Sequence, residues 1–186
     1  MNDSTLRVTS AITWLAGGML WAAAGLVDGG SVELLWIPAD LLLLAGLVTI
    51  GQLGLHGRTR TGRAGLAVAG AGRVTFLIAE ILSAIQDKEQ NVLLPAAAML
   101  SAVGMTVYGV SILRASRWTA PGRYAPLACG LYPFAVMFPI VAASGGDPSE
   151  TAIAFWGATF AVLGATLSWE RHSPSTTSPR HQVLSA

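Results

Sequence analysis

Three ionisable side chains sit where a bilayer helix should carry none: Asp40 in "IPADLLLLAG", and Arg73 and Glu80 in "GRVTFLIAEIL". In hydrocarbon such groups face the interior of a helix bundle, and they either tie helices together or mark a path for protons, ions or solutes. A charge at a helix centre costs about 2.5–3.5 kcal/mol on the insertion scale, whereas each Leu, Ile, Phe or Val returns only about 0.3–0.6. The large aliphatic and aromatic residues between Leu66 and Leu82 return roughly 4 kcal/mol in all. Arg73 consumes most of that, so its helix needs polar partners on its neighbours.

Spacing limits which partners can serve. Arg73 and Glu80 are a heptad apart, on one helix face and about 10.5 Å apart along the axis. That is too far for a direct pair. Asp40 lies on the preceding span, which runs the other way, at about the depth of Glu80. An arginine stem that bends along its helix would reach up between both carboxylates. Such a cluster could lock helices. It could equally carry protons on a partly desolvated Asp40 or Glu80, or hold an anionic substrate on Arg73.

The elements that position these residues are long apolar runs. The chain has 186 residues, 53% hydrophobic and 11% charged, with a mean hydropathy of +0.57; soluble domains carry about 25% charged residues. The runs predict an all-α polytopic integral membrane protein, a six-helix bundle with short loops. The spans are about 8–27, 34–55, 64–84, 93–113, 125–143 and 151–169, making 1–169 a single domain. Residues 170–186, "ERHSPSTTSPRHQVLSA" after Trp169, are rich in Ser, Thr and Pro and predict a disordered cytoplasmic tail.

Charge sorts the loops. "DGGSVE", "QDKEQN" and "GGDPSE" hold six acids and one base, Lys88, while "HGRTRTGR" and the segment from Arg114 to Arg123 hold six arginines and no acid. Arg7, Arg171 and Arg180 fall on the arginine side of an even-numbered count. Short basic loops stay in the cytoplasm during insertion, so both termini are expected there. Arginine, alanine and glycine in place of lysine point to a GC-rich bacterial genome, hence a bacterial cytoplasmic (inner) membrane. The first run has a basic residue before it and small residues in "WAAAG", as a signal peptide would. Its length of about 20 residues favours a retained span. Asp28, Asp87 and Asp147 recur evenly, as helices of similar length with short loops would make them.

The fifth span contains "GLYPFAVMFP". Pro133 lacks an N–H and predicts a kink, with Pro139 beyond it. Broken membrane helices can line binding sites, which makes Tyr132 a candidate ligand contact. Small residues recur every fourth position at Gly18 and Ala22, Gly65 and Ala69, and Gly157, Ala161 and Ala165, the signature of close helix approach. This predicts packing within the bundle, with a dimer face as the alternative. Trp36, Trp118 and Trp169 read as interfacial anchors, and Trp14, Trp21 and Trp156 as deeper.

Several chemistries are disfavoured. No histidine lies inside a span, which weighs against buried haem; Lys88 is in a loop, which weighs against a retinal Schiff base. His56, His172 and His181 match no zinc spacing, and "GLAVAGAGR" follows no strand. A net charge of +1 gives no pull toward nucleic acid. The expectation is no enzyme, no metal and no cofactor, with the lipid bilayer and a homodimer or membrane-protein partner as interactions. Two functions stay open: permeation of a small ion or solute through Asp40, Arg73 and Glu80, or a non-catalytic membrane partner or sensor whose buried charges lock helices. The topology predicts that a single cysteine replacing Arg60, with Cys129 changed to Ser, is shielded from an impermeant thiol reagent in intact cells. Labelling from outside would overturn the six-span scheme.

Overall fold

The computed structural model describes residues 2–27, 33–57, 59–86, 88, 90–116, 118, 122–146 and 149–169. Asp28, Arg58, Asp87, Arg117, Asp147 and the expected tail at 170–186 lie outside them. Among the described residues there are helices and turns and no strand. The helices are α1 (Asp3–Ala24), α2 (Glu33–Leu53), α3 (Arg60–Gln86), α4 (Leu93–Ala115), α5 (Ala125–Tyr132), α6 (Phe138–Ser144) and α7 (Glu150–Trp169). A π-turn, Pro133–Met137, joins α5 to α6, and a 3-10 turn, Gly122–Tyr124, precedes α5, so Gly122–Ser144 forms one rod.

Local chemistry sets the ends. The Asn2 side chain accepts the Thr5 N–H at 2.8 Å, satisfying one of the open N–H groups of a first turn. Helix α1 therefore starts at Asp3, earlier than hydropathy suggests. Helix α2 stops at Leu53 because Gly54 takes a left-handed φ of 64°, a cap that glycine enters without a Cβ penalty. The second expected span, drawn to Leu55, overran it.

Consecutive rods are antiparallel neighbours, and α7 closes back on α1, so the rods form a ring. The seams are made by glycine. Along α3 and α4, Gly62 faces Ser111, Gly65 faces Tyr108, Ala69 faces Gly104 and Gly72 faces Ser101, one helix climbing as the other descends. A Cβ at Gly104 would stand 2.2 Å from the Ala69 nitrogen. Gly18 meets Ala161, Gly157 meets Ala22 and Gly164 meets Leu15 in the same way between α1 and α7. The small-residue stripes thus pack inside the bundle. The third contact of α7 is Gly164, while Ala165 is exposed. Close backbone approach maximises dispersion contacts where lipid supplies no hydrophobic drive between helices.

Five rods are long and apolar enough to cross a bilayer: Leu35–Leu53, Arg60–Gln86, Leu93–Ala115, Gly122–Ser144 and Glu150–Trp169. Helix α1 has the length but a lower apolar content; its less apolar residues, among them Ser10, Thr13, Trp14, Gly17, Gly18 and Trp21, are buried. Large apolar side chains point outward all round the ring, from Leu41 and Val48 to Ile78, Val103, Phe155 and Val162. A surface of that kind belongs in lipid, and the chain is a membrane-embedded helical protein. Trp169 is exposed, but Trp118 is only 2% exposed and packs against Gly122. It is a buried turn residue, contrary to its expected role as an interfacial anchor.

Gly104→Val is expected to lower stability by about 1–3 kcal/mol, the usual cost of overpacking. Gly70→Ala, whose Cβ would meet nothing within 4 Å, should leave it unchanged or slightly raised. Thermal unfolding in detergent or nanodiscs measures both, and equal melting temperatures would refute the α3–α4 seam.

Candidate functional site

Helix α3 is pinned against α4 along the Gly62–Gly72 stripe, with Gly72 set against the backbone of Ser101. Arg73, the next residue, projects about 100° around the helix from that stripe, into the middle of the ring. There its Nη1 donates to Oδ1 of Asp40 at 2.6 Å, with the two side chains 2% and 0% exposed. The guanidinium lies against four aromatic rings drawn from three helices. The centroid distances are 4.5 Å to Phe160, 5.2 Å to Trp156, 5.3 Å to Trp21 and 5.3 Å to Phe76. A cation on an aromatic face gains about 0.5–1 kcal/mol when exposed and about 2 when desolvated. Enclosure thus replaces part of the hydration that Arg73 has lost.

The rings hold one another. Trp21 stands edge-on to Trp156 at 5.2 Å and 87°, and to Trp36 at 4.8 Å and 77°. Trp36 is one helical turn before Asp40 on α2 and packs on the Trp21 ring, which in turn faces Arg73. Phe76 follows Arg73 by three residues, and Trp156 and Phe160 are four apart on α7, spacings that put each set on one helix face.

The proline of the fifth rod reaches this cluster through one carbonyl. Pro133 has no N–H to give to the residue four before it, Cys129. Trp156 fills the vacancy, donating its Nε1–H to the Cys129 carbonyl at 2.9 Å. The Cys129 thiol donates in turn to the Thr159 carbonyl at 3.3 Å. The proline defect therefore fixes the orientation of a ring that faces Arg73. The helix widens after Pro133, where the Phe138 N–H bonds back to the Pro133 carbonyl, and Pro139 follows at the start of α6. At the position of the expected kink the helix thus holds a π-turn, a local widening of the α-helix.

Asp40, Arg73 and Glu80 come together. Asp40 is the direct partner of Arg73, and the partly buried Glu80 stands close enough to Asp40 and Arg73 for both their charges to act on it. One atom of each group, Asp40 Oδ2, Arg73 Nη2 and Glu80 Oε2, is enclosed without a protein hydrogen bond, as is Trp21 Nε1. Tyr132 is placed elsewhere. It lines an open apolar groove of about 240 Å³ between α5 and α7, with Ala128, Phe155, Ala158 and Val162. Among the described residues no three His, Cys, Asp or Glu side chains group as metal ligands. Sequence reasoning missed the aromatic enclosure. Its only signals were Phe76 three residues after Arg73 and the Trp156–Phe160 spacing. No protein-family model, curated protein or solved structure matches the chain.

Trp156→Phe strands the Cys129 carbonyl and should cost about 1–3 kcal/mol. Pro133→Ala supplies a backbone N–H for the same carbonyl, so the cost of Trp156→Phe should shrink in the Pro133→Ala background. A double-mutant cycle on thermal unfolding reads this directly, and strictly additive effects would remove the link.

Proposed function

We propose that this chain is a non-catalytic, six-span protein of the bacterial inner membrane, a membrane-embedded partner or sensor whose Asp40–Arg73 pair locks its helices. The observation that carries the reading is the enclosure of Arg73. A guanidinium bonded to Asp40 and covered by Trp21, Phe76, Trp156 and Phe160 is 2% exposed, which leaves little room for a passing anion. The contacts draw α1, α2, α3 and α7 to one point, and α3 and α7 are not ring neighbours. Breaking a buried pair by removing one partner costs about 3–5 kcal/mol, because the other charge is stranded.

Six spans are supported by the way α1 completes an alternating ring and by its outward Ile12 and Met19, 59% and 60% exposed. Both termini in the cytoplasm are supported by Arg60, Arg63, Arg114 and Arg123 gathering at the end where α2 stops and α3 starts, while Lys88 and Glu150 lie at the other. A homodimer is compatible with the exposed apolar faces of the ring.

Permeation of a proton or small ion is the second reading, and the enclosed, unpartnered atoms of Asp40, Arg73 and Glu80 support it. Two carboxyl groups beside a guanidinium can hold and pass a proton, and buried polar atoms without partners are where ordered water sits.

One set of variants separates the two. Under the lock, Asp40→Asn lowers the melting temperature by the equivalent of several kcal/mol, Glu80→Gln has a small effect, and the double variant Asp40→Leu/Arg73→Met regains most of the loss. Under permeation, Asp40→Asn and Glu80→Gln fold normally and abolish proton or ion flux in reconstituted vesicles. A wild-type flux lost in a normally stable Asp40→Asn protein would sink the lock.

A further inference from the structure

The ring is not sealed evenly. At the α3–α4 and α1–α7 seams glycines bring backbones into contact, but between α2 and α3 the glycines face space. A Cβ at Gly51 would meet only the tip of Leu66, at 3.2 Å, and one at Gly70 would meet nothing within 4 Å. The result is a half-open groove of about 620 Å³, within the range of about 300–1,000 Å³ of ligand sites. Leu44, Leu47, Val48 and Leu66 form its apolar walls, and Arg63 and Gln52 stand at its mouth.

Polarity runs in one direction along this groove. The mouth lies where α2 ends and α3 begins, at the end of two rods long enough to cross a bilayer. From Arg63 to Gly70 the α3 wall is about 10.5 Å long and carries no further charge. No acidic residue occurs in the sequence between Asp40 and Glu80, whereas Arg60 and Arg63 stand in the first turn of α3. A soluble anion would suit the arginines and leave the walls unused. A zwitterionic lipid would suit the walls and leave the positive charge without a counter-ion.

We infer that the α2–α3 groove is a binding site for an anionic phospholipid, its headgroup at Arg63 and one acyl chain along Leu44, Leu47, Val48 and Leu66. Basic pockets between membrane helices at the membrane surface recognise such headgroups, each arginine contributing about 1 kcal/mol. The apolar walls place the chain in lipid-like surroundings, and the headgroup stays at the interface. The site lies apart from Arg73 and serves either reading of the ion pair.

Native mass spectrometry of the full chain, titrated with phosphatidylglycerol, phosphatidylcholine or glycerol phosphate, tests the inference. Wild type is expected to retain phosphatidylglycerol in preference to the other two and to melt higher in its presence. Arg63→Gln should cut that retention about five-fold, the factor equivalent to about 1 kcal/mol, without changing phosphatidylcholine retention. Gly70→Leu fills the groove and should abolish the preference. Val48→Trp fills it from the α2 side, where Val48 is 55% exposed, and provides the same test should Gly70→Leu fail to fold. Equal retention of the two phospholipids by wild type would mean ordinary lipid coating and overturn the site. So would retention of glycerol phosphate as strong as that of the phospholipid, or an unchanged preference in the folded groove-filling variant.

Discussion

The arrangement depends on keeping one guanidinium charged and satisfied in the middle of an apolar ring. A guanidinium is a cation with five N–H donors to satisfy, and the position of Arg73, one residue past the glycine stripe of α3, aims it inward. Everything it then touches is placed to compensate. Asp40 supplies the counter-charge at 2.6 Å, and rings from α1, α3 and α7 supply polarisable faces. Pro133 liberates the carbonyl that fixes Trp156. The compensation is collective, because the rings touch one another edge-on and Trp21 contacts Trp36, Phe76 and Trp156. Loss of one ring loosens the support of the others, so energies measured here will be non-additive.

Lipid as solvent explains why the less apolar side of α1 faces in. In water a helix buries its most apolar stripe. Helix α1 buries Ser10, Thr13, two tryptophans and two glycines, and exposes Ile12 and Met19. With hydrocarbon outside, apolar side chains gain nothing by turning inward. What the inside offers is hydrogen bonding, ring contact and backbone approach. Trp21 illustrates it, meeting the rings of Trp36, Phe76 and Trp156 and the Arg73 guanidinium.

This also decides what could be read from the sequence. The helical class and the long apolar rods were legible, because the bilayer imposes length and internal hydrogen bonding on any span. Asp40 and Arg73 stood out because a charge in such a rod is expensive wherever it lies. Pro133 announced a defect for the same kind of reason. The aromatic enclosure was not legible. Trp156 and Phe160 look alike whether they face lipid or Arg73, and which they face is set by the register of α1 on α7. That register is fixed by backbone contacts at Gly18, Gly157 and Gly164, and alanine- and glycine-rich helices offer many equivalent stripes. The bond from Trp156 to the Cys129 carbonyl spans 27 residues, beyond any local pattern. Trp118 misled because a tryptophan in a turn reads as an anchor, while its burial depends on Gly122 folding over it.

Seams and charges divide the work of assembly. Where α3 meets α4 and α1 meets α7, glycines let backbones touch, and dispersion suffices. Between α2 and α3 they do not touch, and the groove at Gly51 and Gly70 is the gap that results. The Asp40–Arg73 bond crosses this same seam, about one helical turn beyond Leu44 and Gly70, where the groove closes. The ion pair therefore adds a charged contact to a seam along which the two helices pack without a stripe of glycine backbone contacts. Polar contacts between membrane helices average only about 0.6 kcal/mol. A pair cut off from water and covered by rings differs because its disruption strands a charge. A seam held this way can be open to lipid at one end and closed by charge at the other, a combination that a continuous glycine stripe would forbid.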